Sequence, residues 1–153
     1  MSFVLGKTSL ERLATVHPDL QKVVHRAIEI ATEDFFVVEG ARTIEQQKIY
    51  VRQGKSQTMN SNHIPKEDGY SHAVDLAPYP LTWNINAFFS IARAMRQAAE
   101  ELNITIRWGG AWCKLNGDKR APSRMIDEYT AMRRKTGNRV FIDAPHFELI
   151  NNN

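Results

Sequence analysis

The chain has 153 residues, 42% of them hydrophobic and 24% charged, the make-up of one globular domain large enough for a real core. Its single cysteine, Cys113, excludes an internal disulfide and a cysteine-rich structural zinc site, and no apolar run approaches a membrane span. The net charge of +3 and pI of about 9.1 suit an anionic partner such as a cell-wall polymer or nucleic acid, and equally a solvated basic surface.

The opening, MSFVLGKTSLERL, lacks the apolar core of a secretory signal, so synthesis in the cytoplasm is expected, with outside help for any export. Ser9 to Leu13 can form a short helix. Pro18 to Ala31 reads as a helix, with Pro18 in its first turn and Leu20, Val23, Val24, Ala27, Ile28 and Ala31 spaced for one apolar face. Asp34 to Glu39 is expected as a buried strand ending at Gly40. Thr43 can cap a helix over Ile44 to Arg52 that stops at Gly54. Residues 55 to 70 are polar and irregular, longer than a usual connection, which points to a functional loop. His72 to Ala77 is a strand stopped by Pro78 and Pro80. Asn84 to Leu102 carries the clearest helical stripe: Phe88, Ile91, Ala92, Met95, Ala98, Ala99 and Leu102. Ile104 to Trp108 is a strand running into Gly109-Gly110. Ser123 can cap a helix to Arg134. Arg139 to Ile142 and His146 to Ile150 read as strand, interrupted at Pro145.

Chemistry concentrates in two places. Ser61 to Pro78, SNHIPKEDGYSHAVDLAP, holds His63, Glu67, Asp68, His72 and Asp75. Asp75 lies inside the apolar run Ala73 to Ala77, where a carboxylate is costly unless a metal ion or a buried cation pairs with it. Near the C-terminus, Asp143 to Leu149 holds Asp143, His146 and Glu148. Two histidines and an aspartate from distant segments, with an open fourth position, are the parts of a catalytic zinc site. Plainer readings stand beside this one. His63 can be a solvated loop residue, Asp143 a turn residue before Ala-Pro, Arg42 a solvated helix-entry residue, and Trp108 and Trp112 core. Glu148 shares strand parity with His146, which makes it a rival base or a partner behind the ligand. His17 and His25 are expected to be structural. Between His63 and His72 as the metal partner of Asp75, strand alternation favours His63, because His72 and Asp75 would face opposite ways.

The opening MSFVLGKTSLERLATVHPDLQKV, the segment VVEGARTIEQQ, Ser61-Asn62-His63 followed by Ala73-Val74-Asp75-Leu76-Ala77-Pro78, the segment RWGGAW, and Asp143-Ala144-Pro145-His146-Phe147-Glu148-Leu149 occur in one order along nearly the whole chain. Together they resemble the zinc D,D-peptidase superfamily, and in particular the bacteriophage endolysins that act as L-alanyl-D-glutamate endopeptidases. The stretch from His63 to Asp75 is longer than the family spacing, with the extra residues within Ile64 to Val74. Ala111 stands in RWGGAW where the family often has aspartate.

The resemblance implies one compact α+β domain over residues 1–153, a small antiparallel sheet with helices packed on it, as in the zinc D,D-peptidase and hedgehog-like fold. It implies a Zn2+ ion held by His63, Asp75 and His146, with Asp143 as general base. Arg42 would contact the substrate near the reacting carbonyl, and Ser61 would assist positioning. The implied activity is that of a peptidoglycan hydrolase cutting the L-alanyl-D-glutamate bond of the stem peptide for host lysis. A D-alanyl-D-alanine carboxypeptidase or dipeptidase, and a non-catalytic wall-binding domain of the same fold, are the alternatives. The expected partner is the bacterial stem peptide, with no nucleic acid and no membrane insertion. The expected protein is a monomer made in the host cytoplasm that reaches the wall through a membrane-permeabilising phage protein.

Overall fold

The computed structural model describes residues 2–150. Helices α1 (Lys7–Leu13) and α2 (Pro18–Ile30) open the chain. Pro18 sits in the first turn of α2, where its missing N–H leaves nothing unpaired, and the His17 ring caps the helix by accepting the Asp19 N–H. Its stripe, Leu20, Val23, Val24, Ala27 and Ile28, is buried as the spacing predicts. A reciprocal capping box of Thr43 and Gln46 starts α3 (Ile44–Arg52). The region expected as one helix from Asn84 is a 3₁₀ turn at Ile85–Phe88, capped by Asn84, followed by α4 (Phe89–Leu102). Helix α5 (Pro122–Lys135) begins before the expected cap Ser123: Pro122 takes its first position and no side chain caps it. No helix among the described residues is long and apolar enough to cross a membrane.

Strands β1 (Phe35–Glu39), β2 (Ala73–Pro78), β3 (Ile106–Trp108), β4 (Cys113–Lys114) and β5 (His146–Leu149) form one antiparallel sheet in the order β1-β2-β5-β3-β4. Cross-strand register sorts its two faces. Val74, Phe147 and Trp108 lie side by side across β2, β5 and β3 and are buried. This face packs into the core with α2 and α4. The opposite face carries polar rows. Glu39, Asp75 and His146 are aligned across β1, β2 and β5, and Ala73, Glu148 and Arg107 form the next row. A bulge between Val37 and Glu39 makes the first row possible. The extra residue lets Val37 stay in the core while Glu39 comes opposite Asp75.

Two strand expectations are corrected. Arg139 to Ile142 is not a strand, because side chains take its backbone groups. Phe141 O accepts from Trp112 Nε1 at 2.8 Å and Tyr129 Oη at 3.1 Å, and Arg139 O accepts from Arg133 Nε at 2.8 Å. Ile104 to Trp108 is strand only from Ile106, since the Asn116 side chain bonds both Ile104 O and Ile106 N.

Candidate active site

Three side chains from two segments converge on the polar face of the sheet. His63 Nε2 lies 3.0 Å from Asp75 Oδ1, and His146 Nδ1 lies 3.2 Å from His63 Nε2 and 3.4 Å from Asp75 Oδ1. His63 and His146 are buried, and the Asp75 side chain is 16% exposed. The far nitrogen of each ring is engaged. His63 Nδ1 donates to Gly40 O at 2.8 Å, and His146 Nε2 donates to Glu148 Oε1 at 2.7 Å. With the far nitrogen of each ring donating, the nitrogens turned into the site are the ones that offer lone pairs once the rings are neutral. Two imidazole lone pairs and a carboxylate oxygen aimed at one point fit a divalent cation, and the set suits zinc. Considering the protein groups alone, burial would raise the Asp75 carboxyl, but His63 and His146 outweigh it and hold Asp75 well below the usual range. Burial opposes charge on His146, yet its bonds to Asp75 and Glu148 raise it to about 10.

Asp143 stands beside this cluster, three residues before His146. Burial, and then repulsion from Asp75, raise its carboxyl to about 6, against the pull of His146, His63 and Arg42. Its backbone is fixed rather than its side chain: Asp143 N donates to Gly109 O at 3.0 Å, and Asp143 O accepts the His146 N–H at 3.1 Å. Gly109 N in turn donates to His146 O at 2.8 Å. Gly109 therefore lies flat against the segment that carries Asp143 and His146. A Cβ there would collide with Asp143 O and come within 2.9 Å of His146 Cβ. Gly109→Ala is expected to displace Asp143 and His146 and to lower kcat/KM by about 10²-fold in a protein that still folds. A wild-type rate would show that the cradle is slack.

Arg42 is 7% exposed and nearly saturated. Its Nε pairs with Glu39, its Nη1 donates to Gln47 Oε1 at 2.6 Å, and its guanidinium carbon lies 4.5 Å from the centre of the Tyr50 ring. Nη2 sits 3.7 Å from Asp75 Oδ2, beyond hydrogen-bond distance. Ser61 acts on the loop: its Oγ accepts the His63 N–H at 3.1 Å. The sequence reading missed Glu39, Gln47, Tyr50 and Asn62. Gln47 is fully buried and bonds Ser56 Oγ and Thr58 O as well as Arg42. A buried glutamine on a helix that buries no apolar side chain fully leaves no periodic signal, and Glu39 reaches the site only through the bulge.

A second group, His17, Asp68 and His72, also brings its donor atoms within 4.8 Å of one another. It fails the test the first group meets. His17 Nδ1 accepts the Asp19 N–H, so its Nε2 carries the proton and offers no lone pair to an ion. His72 Nε2 contacts Asp68 Oδ2 at 2.7 Å, while its buried Nδ1 has no partner among the described residues. Binding a metal through Nε2 would strand an N–H there. Asp68 instead fastens the extra residues after His63, which form an exposed turn closed by Lys66 N to Tyr70 O at 3.0 Å.

The site opens into a cleft of about 660 Å³ whose walls include Trp83, Arg107, Trp112 and Arg133. A buried histidine–aspartate–histidine set beside a raised carboxyl at the head of an open cleft is an arrangement that suits a metal-dependent peptidase. The model of the phage L-alanyl-D-glutamate peptidase family matches residues 1–150. An L-alanyl-D-glutamate peptidase of Escherichia phage T5 is 40% identical over 119 residues, covering 73% of this chain and 83% of that protein. The crystal structure of the Serratia marcescens L-Ala D-Glu endopeptidase ChiX matches with a TM-score of 0.70 at 31% identity, over 96% of this chain and 90% of that one. The chain belongs to the phage L-alanyl-D-glutamate peptidase family.

Proposed function

We propose that this protein is a zinc-dependent peptidoglycan hydrolase that cuts the L-alanyl-D-glutamate bond of the stem peptide. The observation that carries the reading is the pair of tautomer-locked imidazoles facing Asp75 beside a raised carboxyl. His63 Nε2, His146 Nδ1 and an Asp75 oxygen would hold the ion. Zinc there would supply a Lewis acid that brings the pKa of water to about 7. Asp143 accepts the proton of the attacking water and delivers it to the departing D-glutamate nitrogen. Arg42, its Nε and Nη1 tied to Glu39 and Gln47, directs Nη2 to the oxygen that gains charge on the alanyl carbonyl. Arg107 and Arg133 give the cleft a positive wall suited to the stem peptide's carboxylates. On this reading the protein works as a monomer, is made in the host cytoplasm, and reaches the wall once a membrane-permeabilising phage protein opens the way.

Digestion of purified sacculi tests the reading. New amino termini should be D-glutamate, with L-alanine left on the muramic acid, and chelator should stop the reaction until zinc is returned. New termini at D-alanine would move the protein to the D,D-peptidase alternative, and no release at all would favour a wall-binding role.

Zinc uptake should also depend on pH. His146, held at about 10, is protonated at neutral pH and must lose that proton to become a donor. The apparent zinc association constant is therefore expected to rise about tenfold per pH unit between pH 6 and 8. Chelator competition across that range measures it, and a flat profile would contradict it.

A further inference from the structure

We infer that Glu148 is a clip that positions both histidine donors of the metal site, and that it is not a second base. This rests on the reading that His63, Asp75 and His146 hold a metal. Glu148 is 8% exposed, on the same face of β5 as His146. A carboxylate so placed is costly unless its oxygens are paired, and each has a distinct partner. Oε1 takes the His146 Nε2–H at 2.7 Å, and Oε2 takes the Asn62 side-chain N–H at 2.8 Å. Arg107 Nη1 stands 3.9 Å from Oε2.

The two bonds act on different ligands. The first sets the tautomer of His146, turns its Nδ1 lone pair into the site, and makes that nitrogen a better donor by placing negative charge behind the ring. The second reaches the loop of the other histidine. Asn62 directly precedes His63, and its backbone O is anchored to the start of β2 by His72 N at 2.8 Å and Ser71 Oγ at 3.2 Å. With its amide held by Glu148, Asn62 is fixed at both ends, and the backbone that presents His63 is fixed with it. One carboxylate on the central strand thus joins two ligands 83 positions apart in sequence. Asp143, in contrast, makes no side-chain hydrogen bond of this kind among the described residues and is left to move a proton.

The test measures zinc affinity by chelator competition, and peptide turnover beside it, in the full chain and in Glu148→Ala, Glu148→Gln, Asn62→Ala and the Glu148→Ala/Asn62→Ala double variant. Zinc binding should weaken by about 10–100-fold in Glu148→Ala. It should weaken less in Glu148→Gln, whose amide oxygen still accepts from His146. Asn62→Ala should weaken it alone, yet add little on top of Glu148→Ala, because both changes cut the same link. If Glu148→Ala loses its native circular dichroism, Glu148→Gln decides: weakened zinc binding supports the clip and wild-type binding overturns it. Wild-type zinc affinity in a folded Glu148→Ala overturns the clip. So does Glu148→Gln with wild-type zinc affinity and no turnover, which would make Glu148 the proton acceptor. A wild-type protein that binds no zinc would sink the metal reading itself, a separate result.

Discussion

His63→Ala is expected to abolish zinc binding and turnover, while His72→Ala keeps one zinc per chain. Both histidines precede Asp75 in sequence, and His72 is much the nearer. Structure separates them by what each ring nitrogen does. His63 spends Nδ1 on Gly40 O and leaves Nε2 beside Asp75 and His146. Removing it takes one of three donors from a site that needs three, and leaves Asp75 and His146 facing a gap. His72 turns away to Asp68, with its ring centre 5.0 Å from that of His17. Its loss should loosen the exposed turn at residues 66–69 without touching the donor set. Metal analysis of both purified variants, with circular dichroism to establish folding, gives the answer. A His63→Ala protein that still holds one tight zinc would defeat the assignment.

Asp143→Asn should keep its fold and its zinc but lose about 10²–10⁴-fold in turnover. The substitution preserves shape, and the backbone bonds of Asp143 to Gly109 and His146 do not involve its side chain. What it removes is the proton acceptor. The same group should shape the acid side of the rate profile. Its carboxyl, raised to about 6 by burial and by Asp75, accepts a proton only when ionised, so activity should fall as pH drops. The midpoint should lie at or below about 6, since a cation nearby favours the carboxylate. Near-normal turnover in Asp143→Asn would remove it from the base role.

How much of this was legible in the sequence depended on whether the signal was periodic. The stripes of α2 and α4 were readable because apolar residues at helical spacing have to meet a core. The run DFFVVE gave β1, yet not the bulge that turns Glu39 to the cleft, since alternation alone would have kept Val37 and Glu39 on one face. Strand β4, only Cys113–Lys114, is too short to carry any pattern. Residues 139–142 have strand composition but meet side-chain partners instead of a neighbouring strand. At the site, His63, Asp75, Asp143 and His146 were singled out from residue type and from the family motifs. Their supports were not: Gly40, Gln47 and Asn62 act through a carbonyl, a buried amide and one long-range bond, none of which has a spacing.

Strand β5 is the last strand among the described residues and the middle strand of the sheet. Its two neighbours in the sheet, β2 and β3, both precede it in the chain. His146–Leu149 fills the place between them, and on the proposed reading it brings the last metal donor, with the base just ahead of it. On the proposed reading, a chain that stops short of these residues lacks both His146 and the middle of its sheet, and is expected not to cut.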